Sequence, residues 1–196
     1  MAGTVSALVS RRSGHFRMES GYHSAWWHEL ESVFDRPVQL RPFVSELAVR
    51  LSSHRPEAVC GPESGGAKLA GMIASELGVA CLIAERFETR ASGMFPVAYR
   101  IPATGRQSAS DRSVAIVDDA ISAGSAVRGA YADLVACGAR PVAIGALIVF
   151  GDAAARFAAD AGLALEGLER LPLDLWLPQD CPLCAAGVAL ERIAAG

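Results

Sequence analysis

Lysine is almost missing from this chain: Lys68 is the only one among 18 basic residues, and arginine carries the rest of the positive charge. An excess of either charge is missing as well. Eighteen basic residues stand against 21 acidic ones, for a formal net charge of -3. With no basic block anywhere, the sequence carries neither the footprint of a nucleic-acid partner nor that of a membrane-surface patch. No stretch approaches the roughly 20 apolar residues of a membrane-spanning helix. The longest apolar run, residues 141–150, has the length of a buried strand. Arg11 and Arg12 precede no long apolar segment, so no signal peptide is expected. The five cysteines are too few and too scattered for a disulfide framework, and they suit a reducing cytoplasm. Internal repeats and low-complexity linkers are also lacking.

What is present fills a core. Of the 196 residues, 52% are hydrophobic and 20% charged, which fits one folded domain. Residues 39–53 set Phe43, Leu47 and Leu51 on one helical stripe. An apolar strand at 58–60 runs into Gly61-Pro62-Glu63-Ser64-Gly65-Gly66, and residues 67–77 read as a helix closed by Gly78. Residues 79–84 form a second strand. Residues 85–96 are polar, carry Gly and Pro, and read as a mobile loop. A short strand at 97–102 and a polar connection at 103–112 follow. Residues 114–117 are a strand, 125–138 a helix, 141–150 a strand and 153–161 a helix, with a last strand expected at 171–177. Residues 1–35 look irregular. Strands that are nearly continuous in apolar residues and alternate with helices predict an α/β fold with a mostly parallel sheet. In such sheets ligands bind at the carboxyl ends of the strands. The loops after residues 60 and 117 should therefore face one crevice.

Residues 114–127, VAIVDDAISAGSAV, carry the most chemistry. A strand ends in two acids, Asp118 and Asp119. A turn of small residues follows (Ile121, Ser122, Ala123, Gly124, Ser125, Ala126) and leads into a helix. Amides of such a turn at a helix N-terminus cradle a phosphate. The paired acids suit sugar hydroxyls, a divalent cation or developing positive charge. A phosphorylated sugar satisfies both halves. The Gly61–Gly66 turn offers a second nest of backbone amides for an anion.

This arrangement resembles the phosphoribosyl pyrophosphate (PRPP) signature of type I phosphoribosyltransferases. The resemblance implies a Rossmann-like parallel-sheet core with a small hood built from the N- and C-terminal segments. It assigns residues 1–38 to the hood, 39–165 to the PRPP-binding core and 166–196 to a C-terminal appendage, all within a single domain. It places the ribose 5-phosphate on residues 121–126 and gives Asp118 and Asp119 a catalytic role at the ribose. It also assigns pyrophosphate to Glu63, Ser64, Gly65 and Gly66, and implies Mg²⁺ as cofactor.

The segment Phe16-Arg17-Met18-Glu19-Ser20-Gly21-Tyr22-His23-Ser24 resembles the hood segment of the orotate phosphoribosyltransferase branch. By that likeness Ser20, Gly21, Trp26 and Trp27 would meet a planar acceptor, most simply orotate. The product would be orotidine 5'-phosphate, in pyrimidine nucleotide biosynthesis. A homodimer in the cytoplasm is implied, with no nucleic-acid or membrane partner.

The chain departs from that branch in four places. Glu19 and Gly65 stand where lysines are usual. The 85–96 loop offers only Arg86 and Arg90 as cations; Arg86 is the candidate catalytic cation and Arg90 a candidate pyrophosphate ligand. Phe150-Gly151-Asp152 lacks the arginine that follows the aspartate in that branch. A different heterocyclic acceptor, or a PRPP-sensing regulator without turnover, therefore stays open beside orotate. Finally, Cys181-Pro182-Leu183-Cys184 supplies half of a tetrahedral zinc site, which a second chain could complete, or else two plain structural cysteines.

Overall fold

The computed structural model describes residues 3–88 and 93–191. A hairpin of β1 (Ser10–Arg17) and β2 (His23–Glu29) leads to α1 (Pro37–Ser52) and β3 (Ala58–Pro62). Then come α2 (Gly65–Leu77), β4 (Ala80–Glu88), β5 (Val97–Arg100) and α3 (Ala103–Ala109). The chain continues through β6 (Ser113–Ile121), α4 (Ser125–Ala136), β7 (Arg140–Phe150), α5 (Ala153–Asp160) and β8 (Ala164–Leu171). The short helix α6 (Pro182–Ala185) follows.

The six-stranded sheet runs in the order β5-β4-β3-β6-β7-β8, and only β5 is antiparallel to its neighbour. Its central strands are apolar at successive positions because both faces are covered. In β6, Val114 and Ile116 join a core shared with α4 and α5, while Ala115 and Val117 join the opposite core against α1 and α2. Helix α1 buries Leu40, Val44, Leu47, Ala48 and Leu51, an i, i+4, i+7, i+8, i+11 stripe. Phe43 lies at the edge of that stripe, partly buried.

Several elements differ from the sequence expectation. The N-terminal segment is a hairpin, not irregular coil, bonded from Ser10↔Glu29 to Arg17↔His23. Residues 103–109 form a helix because tertiary contacts hold it: Arg106 forks onto Asp133 at 3.1–3.3 Å, and the Ile101 amide donates to the same carboxylate at 2.7 Å. The last strand is β8, earlier than expected. Residues 172–177 contribute only one bridge, between Trp176 and β2 at His23. Strand β4 extends through residue 88 by pairing with β5, so the expected loop at 85–96 is shorter.

Leu51 packs from α1 onto β7, where its methyl carbons lie 3.0 and 3.3 Å from the place a Cβ on Gly145 would occupy. Leu51→Ala should therefore leave a void between helix and sheet and cost about 2–5 kcal/mol. Urea unfolding that gives a lower midpoint at unchanged slope would show this.

Candidate active site

The β6 strand runs through both acids to Ile121, so Asp118 and Asp119 are held on the sheet itself rather than in a loop. The β3–α2 elbow meets them there. A Cβ on Gly65 would overlap the Asp119 carboxylate, and one on Gly66 would lie 2.8 Å from Asp118 Oδ1. A Cβ on Gly61 would overlap the Gly66 carbonyl. Only glycines at these positions let the first turn of α2 approach the acids. Gly65 and Gly66 thus belong to that first turn, which begins two residues earlier than the sequence suggested. Gly124, in the left-handed region at φ +79°, turns the chain from β6 into α4.

Together these elements enclose a cavity of about 200 Å³. Asp118, Asp119, Glu63, Ser64 and Gly65 line it, with Ile121, Ser122, Gly124, Ser125 and Ala126 opposite. Ala123 is buried behind the turn. The two strand-end loops therefore face one crevice.

Asp119 N–H donates to Asp118 Oδ1 at 3.0 Å, and Ala120 N–H to Asp119 Oδ1 at 2.8 Å. Neither carboxylate has an ion-pair partner among the described residues. Burial raises the pKa of Asp118 well above the carboxylate range, and the charges of Asp119 and Glu19 add to it. Burial also raises Asp119, against the stabilising Ala120 amide.

Two lining residues escaped the sequence reading. Glu19, at the hairpin turn, accepts hydrogen bonds from Tyr99 Oη at 2.9 Å and Ser125 Oγ at 3.2 Å, and Arg86 Nε reaches it at 3.1 Å. Glu19 lay inside the matched hood segment, so its position was a usable signal; Tyr99 gave none. Burial and the Glu19 charge push the Tyr99 phenol up, so it stays a donor. The Arg86 amide is itself anchored on Glu63 Oε2 at 3.0 Å. Arg90 lies outside the described residues.

The hood residues divide. The Ser20 carbonyl accepts from Phe95 N–H at 2.9 Å, while its Oγ is buried without a partner among the described residues. A Cβ on Gly21 would lie 2.9 Å from the Gly93 carbonyl. The structure does not bring Trp26 and Trp27 to the crevice. Trp26 stacks under the Arg11 guanidinium at 4.7 Å, and Trp27 leans on Phe16 at 6.3 Å between ring centres. Successive residues of a strand point to opposite faces, so the two rings could not share one ligand from regular β2 geometry. Cys181 and Cys184 lie outside this cavity, beside His15 and His23 of the same chain.

No model of a protein family matches the chain. Among solved structures, the orotate phosphoribosyltransferase from Aeropyrum pernix superposes with a TM-score of 0.63 at 20% identity, over 84% of this chain and 89% of that one. The adenine phosphoribosyltransferase from Trypanosoma brucei, solved with AMP, pyrophosphate and ribose-5-phosphate, gives 0.67 at 16% identity, over 84% and 76%. The parallel sheet with its acidic strand end and glycine elbow is thus the type I phosphoribosyltransferase fold. In sequence, the orotate phosphoribosyltransferase of Thermotoga maritima is 30% identical over 179 residues, 91% of this chain and 89% of that protein. That of Caldanaerobacter subterraneus subsp. tengcongensis is 27% identical over 179 residues, 91% and 87%. The chain belongs to the orotate phosphoribosyltransferase family.

The raised carboxyl pKa values fix a sign. The folded state holds the proton on Asp118 more tightly than the unfolded chain does. The apoprotein therefore loses stability as pH rises through the elevated native pKa. Asp118→Asn should raise the apoprotein's melting temperature near neutral pH by about 2–5 °C. The gain should vanish as pH falls toward about 4. Thermal unfolding across a pH series, without Mg²⁺ or PRPP, measures it.

Proposed function

We propose that the chain transfers the 5-phosphoribosyl group of PRPP to orotate, giving orotidine 5'-phosphate and pyrophosphate. The observation that carries this is the convergence of Asp118 and Asp119, the Gly65–Gly66 elbow and the 122–126 turn on one small cavity, in a chain of this family. The amides and hydroxyls of Ser122 to Ala126, at the N-terminus of α4, receive the 5-phosphate. The start of α2, with Glu63 and Ser64, receives the pyrophosphate. The ribose hydroxyls lie against Asp118 and Asp119.

As the bond from the anomeric carbon to pyrophosphate breaks and the bond to the acceptor nitrogen forms, positive charge develops on the ribose. The two carboxylates stabilise it, because they are already fixed and shielded from water. Adjacent acids, Asp118 buried and Asp119 partly so, with no cationic partner among the described residues, are also a donor set suited to Mg²⁺, which keeps several waters and takes few protein ligands. Asp118 and Asp119 would hold the metal, whose charge would neutralise the leaving pyrophosphate. Arg86, tied to Glu19 in the resting crevice, turns to the pyrophosphate as its clamp. The homodimer belongs to the same reading.

The carboxylate of orotate needs a cation, and the usual arginine after the aspartate is missing here. A second cavity of about 270 Å³ lies at the carboxyl end of β7, the strand beside β6. Gly151, Asp152, Arg156 and Trp176 line it, so a guanidinium one turn into α5 supplies the missing charge. Asp152 in the same cavity favours, as a second reading, an acceptor without a carboxylate.

With Mg²⁺ and PRPP, orotate should release pyrophosphate. Asp118→Asn combined with Asp119→Asn should slow this by at least about 100-fold. Turnover with another base alone would remove orotate as the acceptor, and PRPP binding without turnover on any base would leave a sensor in place of an enzyme. Arg156→Ala should raise the KM for orotate by about 10-fold or more while PRPP affinity is kept. An unchanged orotate KM would take the carboxylate elsewhere.

A further inference from the structure

Four side chains that play no part in the crevice meet where the hood hairpin touches the C-terminal segment. His15 and His23 come from β1 and β2, and Cys181 and Cys184 flank the start of α6. His15 Nε2 lies 3.1 Å from His23 Nδ1, 3.4 Å from Cys181 Sγ and 3.7 Å from Cys184 Sγ, and His23 Nδ1 lies 3.3 Å from Cys184 Sγ. All four ligand atoms lie within 4.8 Å of one another.

The separations have a specific meaning. In a tetrahedron the ligand–ligand edge is about 1.63 times the metal–ligand bond. Zinc bonds of about 2.0–2.1 Å to nitrogen and 2.3 Å to sulfur therefore require edges of about 3.3 Å between nitrogens and about 3.6 Å between nitrogen and sulfur. Four of the six edges fall within about 0.3 Å of these values, and the other two are no longer than 4.8 Å.

The tautomer fits too. His15 Nδ1 lies 2.7 Å from the Val188 carbonyl oxygen, which can only accept, so Nδ1 carries the proton and the Nε2 lone pair faces the other three atoms. A backbone carbonyl on the second imidazole nitrogen is the usual support of a metal-bound histidine.

We propose that His15, His23, Cys181 and Cys184 bind one Zn²⁺ as a closed, structural Cys₂His₂ centre. Two thiolates neutralise the dication, so a site of which three ligands are buried carries no net charge. Two thiolates and two imidazoles in a tetrahedron select zinc among the common divalent ions. With four protein ligands no position is open for substrate, and the role is mechanical. The C-terminal segment is already stitched to the hairpin by mutual hydrogen bonds between His23 and Trp176, at 2.8 and 2.9 Å, and by Glu191 N–H to the His15 carbonyl at 2.7 Å. The metal would lock that seam and so steady the hairpin turn that carries Glu19 to the crevice. Each zinc binds within one chain, without thiolates from a second copy. The assignment holds whichever acceptor the crevice takes.

Protein purified without chelator should contain about one zinc per chain by elemental analysis. Replacing the zinc with Co²⁺ should give the intense visible bands of a four-coordinate centre and near-ultraviolet thiolate-to-cobalt charge transfer. Cys184→Ser should weaken zinc binding at least about 10-fold and reduce the charge-transfer bands, while Cys81→Ser should change neither. Removing the metal should speed proteolysis within residues 176–191. Less than about 0.1 zinc per chain with both thiols free and no cobalt charge transfer would overturn the proposal. So would a Cys181–Cys184 disulfide in the purified protein, or the weak absorption of six-coordinate cobalt. The cobalt spectrum of the unaltered chain decides the matter even where the serine variant does not fold.

Discussion

Asp118 and Asp119 sit side by side on a buried strand end, with no basic side chain among the described residues to neutralise them, and much of the molecule is arranged around that cost. Burial pushes both carboxyl pKa values up, Asp118 furthest. The glycine elbow from β3 to α2 brings helix amides to the same spot, where a side chain on Gly65 would collide with Asp119. The β6–α4 turn brings a second set of amides. The sheet supplies the rigidity that makes this possible, because β6 lies between β3 and β7 and is buried on both faces. Stability is given up locally so that the site is set before its ligand arrives.

The resting crevice is not empty of charge. Glu19 fills part of it, and the Ser125 hydroxyl at the β6–α4 turn, the Tyr99 phenol and Arg86 all point their donors at that one carboxylate. A negative side chain thus holds the donors that an anionic ligand would use. The resemblance to the orotate branch implies a lysine at this position, and Glu19 gives the opposite local sign. It fits a chain that has given up lysine nearly everywhere and relies on arginine forks.

The core was legible in the sequence because its physics is local. Apolar runs such as 141–150 are strands buried on both faces, and the small residues of 121–126 announce a turn where backbone approaches a ligand. The hood was not legible. Its buried residues, His15, Phe16, His23 and Ser24, are mostly polar and fall in adjacent pairs rather than alternating, so no period of two appears. Strand β8 was missed for a related reason: its residues are half-buried at a sheet edge and include Glu166 and Glu169. Within the site, the paired acids and the glycines could be read directly. The contacts of Glu19 with Tyr99 and Ser125 could not, since they join positions 80 and 106 residues apart and exist only once the chain has folded. The CPLC motif showed two cysteines and gave no hint that two histidines of the hairpin would meet them.

The seam between the hairpin and the C-terminal segment also sets an order of events. His15 and Val188 are 173 residues apart, among the longest separations in the molecule. Contacts of such span form late, after nearer ones have collapsed the core. On the ribosome, the hairpin emerges first and then waits, its polar inner face unmatched, until residues 176–191 have been made. The seam between hairpin and C-terminal segment is therefore a late part of the fold, completed by residues 176–191 over a sheet that has already formed.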